Sequence, residues 1–171
     1  MNSLKIIITG PESSGKTTLC KQLSAHFEIP FAKEFAREFL NELDRDYTQD
    51  DLLAIAKGQL ASEQLTTNNQ QLSLHDTDLI TIKIWSEYKY GNCHKWILDQ
   101  IENQKTEKRF YLFCKPDIPW EADPQRENPT EREGLFKIYK KELERLGHQY
   151  FIVEGKERIE NSILKITSLI S

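Results

Sequence analysis

The octapeptide Gly10-Pro11-Glu12-Ser13-Ser14-Gly15-Lys16-Thr17 sets two glycines, a lysine and a hydroxyl residue at the spacing G-x-x-x-x-G-K-[ST]. The apolar run Leu4 to Thr9 precedes it, and Leu19, Cys20 and Leu23 follow at helical spacing. That is the strand, loop and helix setting in which such a loop cradles phosphates. The glycines let the backbone wrap a polyphosphate closely, while successive N–H groups and the helix N-terminus supply positive potential. Lys16 reaches the β- and γ-phosphates, and Thr17 ligates Mg²⁺. Gly10, Glu12, Ser13, Ser14, Gly15, Lys16, Thr17 and Thr18 are therefore the candidate residues for ATP. Glu12 is the anomaly, because a γ-phosphate repels its carboxylate. It either points to solvent or faces a cation or an acceptor hydroxyl.

A second cluster, His75-Asp76-Thr77-Asp78, closes the alternating run at Leu72 and Leu74. Carboxylates at the C-terminal edge of a parallel sheet stand on the ligand side of open α/β folds. Asp76 is a candidate for the Mg²⁺ shell or for proton abstraction, and Asp78 for receiving an acceptor hydroxyl's proton. Asp78 also precedes Leu79-Ile80-Thr81 in the position of a helix N-cap, a role compatible with the first. His75 reads as a packed strand residue rather than a ligand. Arg126 and Arg132 lie in the Pro-rich, charged stretch from Lys115 to Arg132. Irregular segments of that length often close over a site, and arginines on them neutralise charge on a transferred phosphoryl group. Glu127, Glu131 and Glu133 are close enough to make surface ion pairs with them instead.

These residues need elements to hold them. Beyond the first strand and helix, Pro30 to Ala32 is a brief second strand, and Phe35, Phe39, Leu40 and Leu43 form a helical stripe. Thr48 and Asp51 match a capping box that opens a long helix through Leu52, Ile55, Ala56 and Leu60. Leu79 to Tyr88 reads as a helix and Arg109 to Cys114 as an aromatic-rich strand. A helix carrying Leu135 to Leu146 then stops at Gly147, and a last strand precedes the stripe Ile159, Ile163, Ile166 and Ile170. Alternating strands and helices predict an α/β fold, a parallel sheet with helices on both faces. At 171 residues one domain, 1–171, is expected, with a lid over about 115–132.

Composition narrows the partners. The charged fraction of 29% and mean hydropathy of −0.62 are those of a globular protein, with no run approaching the roughly 18 apolar residues of a membrane span. Ile6-Ile7-Ile8 is cut short by Gly10-Pro11-Glu12, unlike a signal peptide, so a cytoplasmic protein without membrane contact is expected. Cys20, Cys93 and Cys114 are odd in number and widely spaced, as reduced thiols are. A net charge of −4 speaks against a nucleic-acid partner, which needs a basic face.

Taken in order, GPESSGKTTL, EFAREFL, DTDLITIKIWSEYKYG and PDIPWEADPQRENPTER resemble the ribosylnicotinamide kinase module of NadR-type proteins and its stand-alone bacterial relatives, within the P-loop NTPase superfamily. The resemblance spans nearly the whole chain. It implies a nucleoside-kinase-type three-layer sandwich with five parallel strands ordered 2-3-1-4-5. The implied reaction is transfer from ATP, with Mg²⁺, to the 5′-hydroxyl of N-ribosylnicotinamide, giving nicotinamide mononucleotide. By position in the family, Glu34 matches a carboxylate near the acceptor 5′-hydroxyl, with Arg37 and Glu38 one helical turn on. The H-x-G-H signature of the adenylyltransferase domain of NadR proteins is not present in these residues, and neither is a helix-turn-helix segment.

Such an acceptor, a cationic pyridinium nucleoside, suits aromatic faces beside carboxylates. Trp85, Tyr88 and Tyr90, near Asp78 and Glu87, are the candidates. Trp85 is also in register with Ile82 and Leu79, which would place it in the core. Tyr88 and Tyr90 precede Gly91 as loop residues facing the ligand. Two alternatives stay open: a kinase for another nucleoside or small alcohol, and a P-loop regulatory ATPase or binding module.

Overall fold

The computed structural model describes residues 3–68 and 70–171. Strand β1 (Leu4–Thr9) leads into helix α1 (Lys16–Phe27), followed by β2 (Phe31–Ala32), α2 (Phe35–Glu42) and α3 (Gln49–Thr67). Strand β3 (Leu72–Asp76) precedes α4 (Leu79–Tyr90) and α5 (Lys95–Asn103), and β4 (Arg109–Cys114) precedes α6 (Arg132–Leu146). Strand β5 (Gln149–Val153) and helix α7 (Arg158–Ile170) complete the order. The five strands form a parallel sheet ordered β2-β3-β1-β4-β5, as the sequence resemblance implied.

Period-two alternation along the strands splits the core into two layers. Ile6 and Ile8 of β1, with Phe110, Leu112 and Cys114 of β4, pack against Leu19, Cys20 and Leu23 of α1 and Ile166 of α7. Ile7, Tyr111 and Phe113 point the other way, against Leu52 and Ile55 of α3, Leu79, Ile80, Ile82 and Ile84 of α4, and Leu135 and Leu143 of α6. Helices therefore cover both faces, and the strands read as near-continuous apolar runs because neither face meets water.

Several boundaries follow from local chemistry. Thr48 and Asp51 close a capping box at the start of α3. Gly147 stops α6 in a left-handed conformation at φ 73°. Helix α5 was not anticipated from the sequence. Its apolar stripe has only Ile97 and Ile101 fully buried, and the His94 side chain caps it by accepting from Trp96 N–H. Among the described residues no helix is long and apolar enough to cross a membrane.

Candidate functional site

The C-terminal ends of β1 and β3 lie side by side, with Ile8 paired to Asp76. The loop 10–15 springs from β1 and turns into α1, whose N-terminus no side chain caps, so its N–H groups stay available to an anion. Gly10 at φ 140° lies so close to β4 that a Cβ there would stand 2.5 Å from the Cys114 carbonyl oxygen. Only glycine fits this turn. Gly15, at φ 82°, makes the second one.

Within the loop, Lys16 Nζ and Ser14 Oγ each donate to the Pro11 carbonyl at 2.7 Å. Thr17 Oγ1 donates to Asp76 Oδ2 at 2.6 Å, and the other oxygen, Asp76 Oδ1, is buried without a partner among the described residues. Burial pushes the Asp76 carboxyl up, opposed by the Thr17 hydroxyl and then by Lys16. A divalent cation fits this pair: it would give the orphaned oxygen a partner directly or through water and would relieve the burial of the anion.

The far wall begins at Glu34, the residue preceding α2. Phe35 N–H donates to Gln59 Oε1 of α3 at 2.9 Å. The Phe35 ring lies against Gly58, where a Cβ would stand 2.2 Å from it. This close approach of α2 to α3 sets where Glu34 points, into the cleft that the phosphate loop also lines. Burial raises the Glu34 pKa, Lys16 opposes the rise, and Asp76 adds to it. The three groups thus share one electrostatic environment. Thr81, Trp85 and Tyr88 of α4, Arg37 of α2, Tyr139 of α6 and Arg126 line the same cleft.

Of the expected site residues, Gly10, Glu12, Ser13, Ser14, Gly15, Lys16, Thr17, Thr18, Glu34, Arg37, Trp85, Tyr88 and Arg126 are brought together around this cleft. Asp76 meets it through Thr17. Trp85 is half-buried and belongs to both the cleft wall and the core periphery.

Three expectations need correction. Asp78 is fully buried, with its carboxylate occupied by Arg109 Nη1 at 3.2 Å, Tyr111 Oη at 2.7 Å and Ile80 N–H at 3.1 Å. It caps α4 and balances Arg109, and it does not line the cleft. Tyr88 and Tyr90 both belong to α4, not to a loop, and two residues of helix rotate Tyr90 by about 200° from Tyr88, away from the cleft that Tyr88 lines. The Tyr90 hydroxyl donates to the Tyr47 carbonyl instead, at 3.5 Å. Arg132 opens α6 and spends one guanidinium nitrogen on the carbonyls of Ser13 (2.9 Å) and Ile118 (3.0 Å), so it braces the loop from outside the cleft. Glu12 lines the cleft and also has partners that the sequence did not suggest. Its carboxylate accepts from the backbone N–H groups of Glu127 (3.2 Å) and Asn128 (3.0 Å), joining the loop to the 115–131 connection.

Replacing Asp78 with asparagine is therefore expected to preserve the N-cap but weaken the buried pairing with Arg109. The expected cost is about 1–3 kcal/mol of stability with kcat within about twofold. Urea unfolding beside a rate assay reads both, and a large kcat loss in a fully folded variant would return Asp78 to the chemistry.

Sequence reasoning missed Tyr139 as part of the cleft wall and Arg158 as a brace of the phosphate loop. Tyr139 sits on an apolar stripe of α6 that looks like core, yet its hydroxyl turns to Thr81 Oγ1 at 3.3 Å and it lines the cleft. Arg158 donates to the carbonyls of Ser14 (2.8 Å) and Lys115 (2.6 Å) and pairs with Asp117. No local pattern distinguishes it from any other charged residue at a helix start.

A family of AAA domains, AAA_28, matches residues 5–161. The chain belongs to this family. This AAA domain is 23% identical, over 96% of its length, to the trifunctional NAD biosynthesis/regulator protein NadR of Escherichia coli (strain K12), of which it covers 41%. The Salmonella typhimurium protein of the same name is 25% identical over 71% of the AAA domain, which covers 30% of that relative. The chain thus spans less than half the length of these curated relatives. Among solved structures, a NadR protein in complex with NR superposes with a TM-score of 0.76 at 23% identity, covering 98% of this chain and 49% of that one. A deoxyadenosine kinase from M. mycoides, with dCMP and dCDP bound, superposes with a TM-score of 0.65 at 14% identity, covering 96% and 100%. The AAA domain therefore has the P-loop kinase-like fold, and its likeness to NadR proteins agrees with the motifs in its sequence.

Proposed function

We propose that this AAA domain is an ATP- and Mg²⁺-dependent kinase that phosphorylates the 5′-hydroxyl of nicotinamide riboside, giving nicotinamide mononucleotide and ADP. The observation that carries the reading is one cleft lined both by a phosphate loop and by a half-buried carboxylate, Glu34, whose pKa is raised. The names of the NadR relatives and the NR bound to one of them support the choice of acceptor.

In this reading Lys16 exchanges its 2.7 Å bond to the Pro11 carbonyl for β- and γ-phosphate oxygens, and the uncapped N–H groups of α1 hold the same phosphates. Thr17 and Asp76 are the residues that would hold Mg²⁺, which when bound with ATP neutralises charge on the β- and γ-phosphates. Glu34 orients the 5′-hydroxyl and takes its proton as the new O–P bond forms and the bond from the γ-phosphorus to the β,γ-bridging oxygen breaks, leaving ADP. Residues 115–132 act as the lid. Arg126, which rests on the Glu121 carbonyl at 2.5 Å, turns toward the transferred phosphoryl group, while Arg132 keeps the loop braced. The residues form one kinase domain.

Trp85, Tyr88 and Tyr139 supply aromatic faces for the pyridinium ring. A cation–π contact is worth about 0.5–2 kcal/mol, so one ring discriminates a cationic from a neutral nucleoside by at most about thirtyfold. Shape and ribose hydrogen bonds must supply the rest, with Arg37 and Glu12 in reach of the cleft. The test is ADP release by the purified chain with ATP and Mg²⁺, with and without nicotinamide riboside. Release that ignores the nucleoside would favour a regulatory ATPase.

A further inference from the structure

Tyr47, in the connection between α2 and α3, does not line the cleft, yet its hydroxyl lies at a junction of three polar groups. It accepts from Trp85 Nε1 at 2.9 Å and from Lys89 Nζ at 2.5 Å, and it donates to Glu127 Oε2 at 2.8 Å. Lys89 also pairs with Glu127 Oε1 at 2.9 Å and stands 3.9 Å from the Tyr47 ring centroid. The Tyr47 and Trp85 rings meet edge to face, with centroids 4.9 Å apart and planes at 65°. The backbone N–H groups of Glu127 itself and of Asn128 are held by Glu12 of the phosphate loop. The hydroxyl of Tyr47 thus joins an aromatic wall of the cleft to the segment that crosses it.

We propose that Tyr47 is a positioning residue for the acceptor: it fixes the plane of Trp85 and makes that placement depend on the docking of Glu127. The proposal rests on the kinase reading, in which Trp85 faces the acceptor and residues 115–132 are the lid. With the lid raised, Glu127 leaves and the Tyr47 hydroxyl loses its acceptor, so the indole is free to turn. With the lid down, Tyr47 donates to Glu127 and keeps its lone pairs for Trp85 and Lys89, which locks the ring. Burial pushes the phenol up to about 12, so Tyr47 keeps the proton that it donates to Glu127 at neutral pH. The acceptor wall is then complete only when the lid is closed.

The test is Tyr47→Phe, which keeps the ring packing and removes only the hydroxyl. The expected result is a rise in acceptor KM of about tenfold, equivalent to about 1.4 kcal/mol, with kcat and the KM for ATP within about twofold. Glu127→Ala, at an exposed position, should shift acceptor KM the same way, and the double variant should shift it by less than the product of the two. A purely structural role would lower the melting temperature without splitting the two KM values. An acceptor KM within twofold of wild type, or an equal rise for ATP, overturns the proposal. If the wild type phosphorylates a different nucleoside, the choice of acceptor falls and the Tyr47 test runs unchanged on that nucleoside. If it phosphorylates none, the kinase reading falls and the positioning role with it.

Discussion

Replacing Lys16 with alanine is expected to lower kcat/KM by at least about 10³-fold and to leave the thermal unfolding midpoint nearly unchanged. A preorganised cationic donor at the β- and γ-phosphates acts where negative charge develops, and removing one such donor typically costs 10²–10³-fold. The larger figure is expected because Lys16 brings a full charge into a partly closed site. Its one hydrogen bond in the resting loop, to the Pro11 carbonyl, is worth about 1 kcal/mol net, and the carbonyl keeps Ser14 Oγ as a donor. Stability and activity therefore separate in this variant. A coupled ADP-release assay beside a circular-dichroism melt reads the two, and normal turnover would show that the loop does not cradle the reacting phosphates.

The second large effect is expected at Glu34. Glu34→Gln keeps the shape and removes the proposed base, and general-base assistance contributes about 10²–10⁴ in rate. The pH dependence carries the sharper signature. Burial raises the Glu34 pKa above its ordinary 4.5, with Asp76 adding to the rise and Lys16 opposing it. In the proposed mechanism the anion is the working form, so activity should be present above the raised value and fall as pH drops through it. That acid limb should lie above 4.5 in the wild type and disappear in Glu34→Gln. Stability runs the other way. A carboxyl whose folded pKa is raised contributes stability below its unfolded pKa and loses it as pH rises through the folded value. Glu34→Gln should therefore unfold at a higher temperature than the wild type at pH 7, while turning over far more slowly. A variant that keeps the wild-type pH–rate profile would remove Glu34 from proton transfer.

The architecture was legible in the sequence because its determinants are local. The apolar runs Ile6-Ile7-Ile8 and Arg109 to Cys114, the capping box at Thr48 and Asp51, and Gly147 each act within a few residues. The phosphate loop was legible for the same reason. Residues whose role depends on direction were harder to read. Asp78 sits two positions from Asp76, and the turn through Thr77 at φ 67° sends its carboxylate to Arg109 and Tyr111 rather than to the cleft. Tyr90 was separated from Tyr88 by the last turn of α4, and Tyr139 was hidden among the apolar residues of α6. Glu12 makes sense only once the 115–131 connection folds across the loop, because its partners lie more than a hundred residues away. Tyr47 has partners at Trp85, Lys89 and Glu127, a constellation with no spacing to betray it.

The central claim is the acceptor. The most direct measurement compares kcat/KM for nicotinamide riboside, uridine and deoxycytidine under saturating ATP and Mg²⁺, with the phosphorylated product identified by mass. Nicotinamide riboside should be converted to nicotinamide mononucleotide with one ADP released per product, and the neutral nucleosides should be at least about tenfold poorer. Turnover of uridine or deoxycytidine with none of nicotinamide riboside would contradict the account.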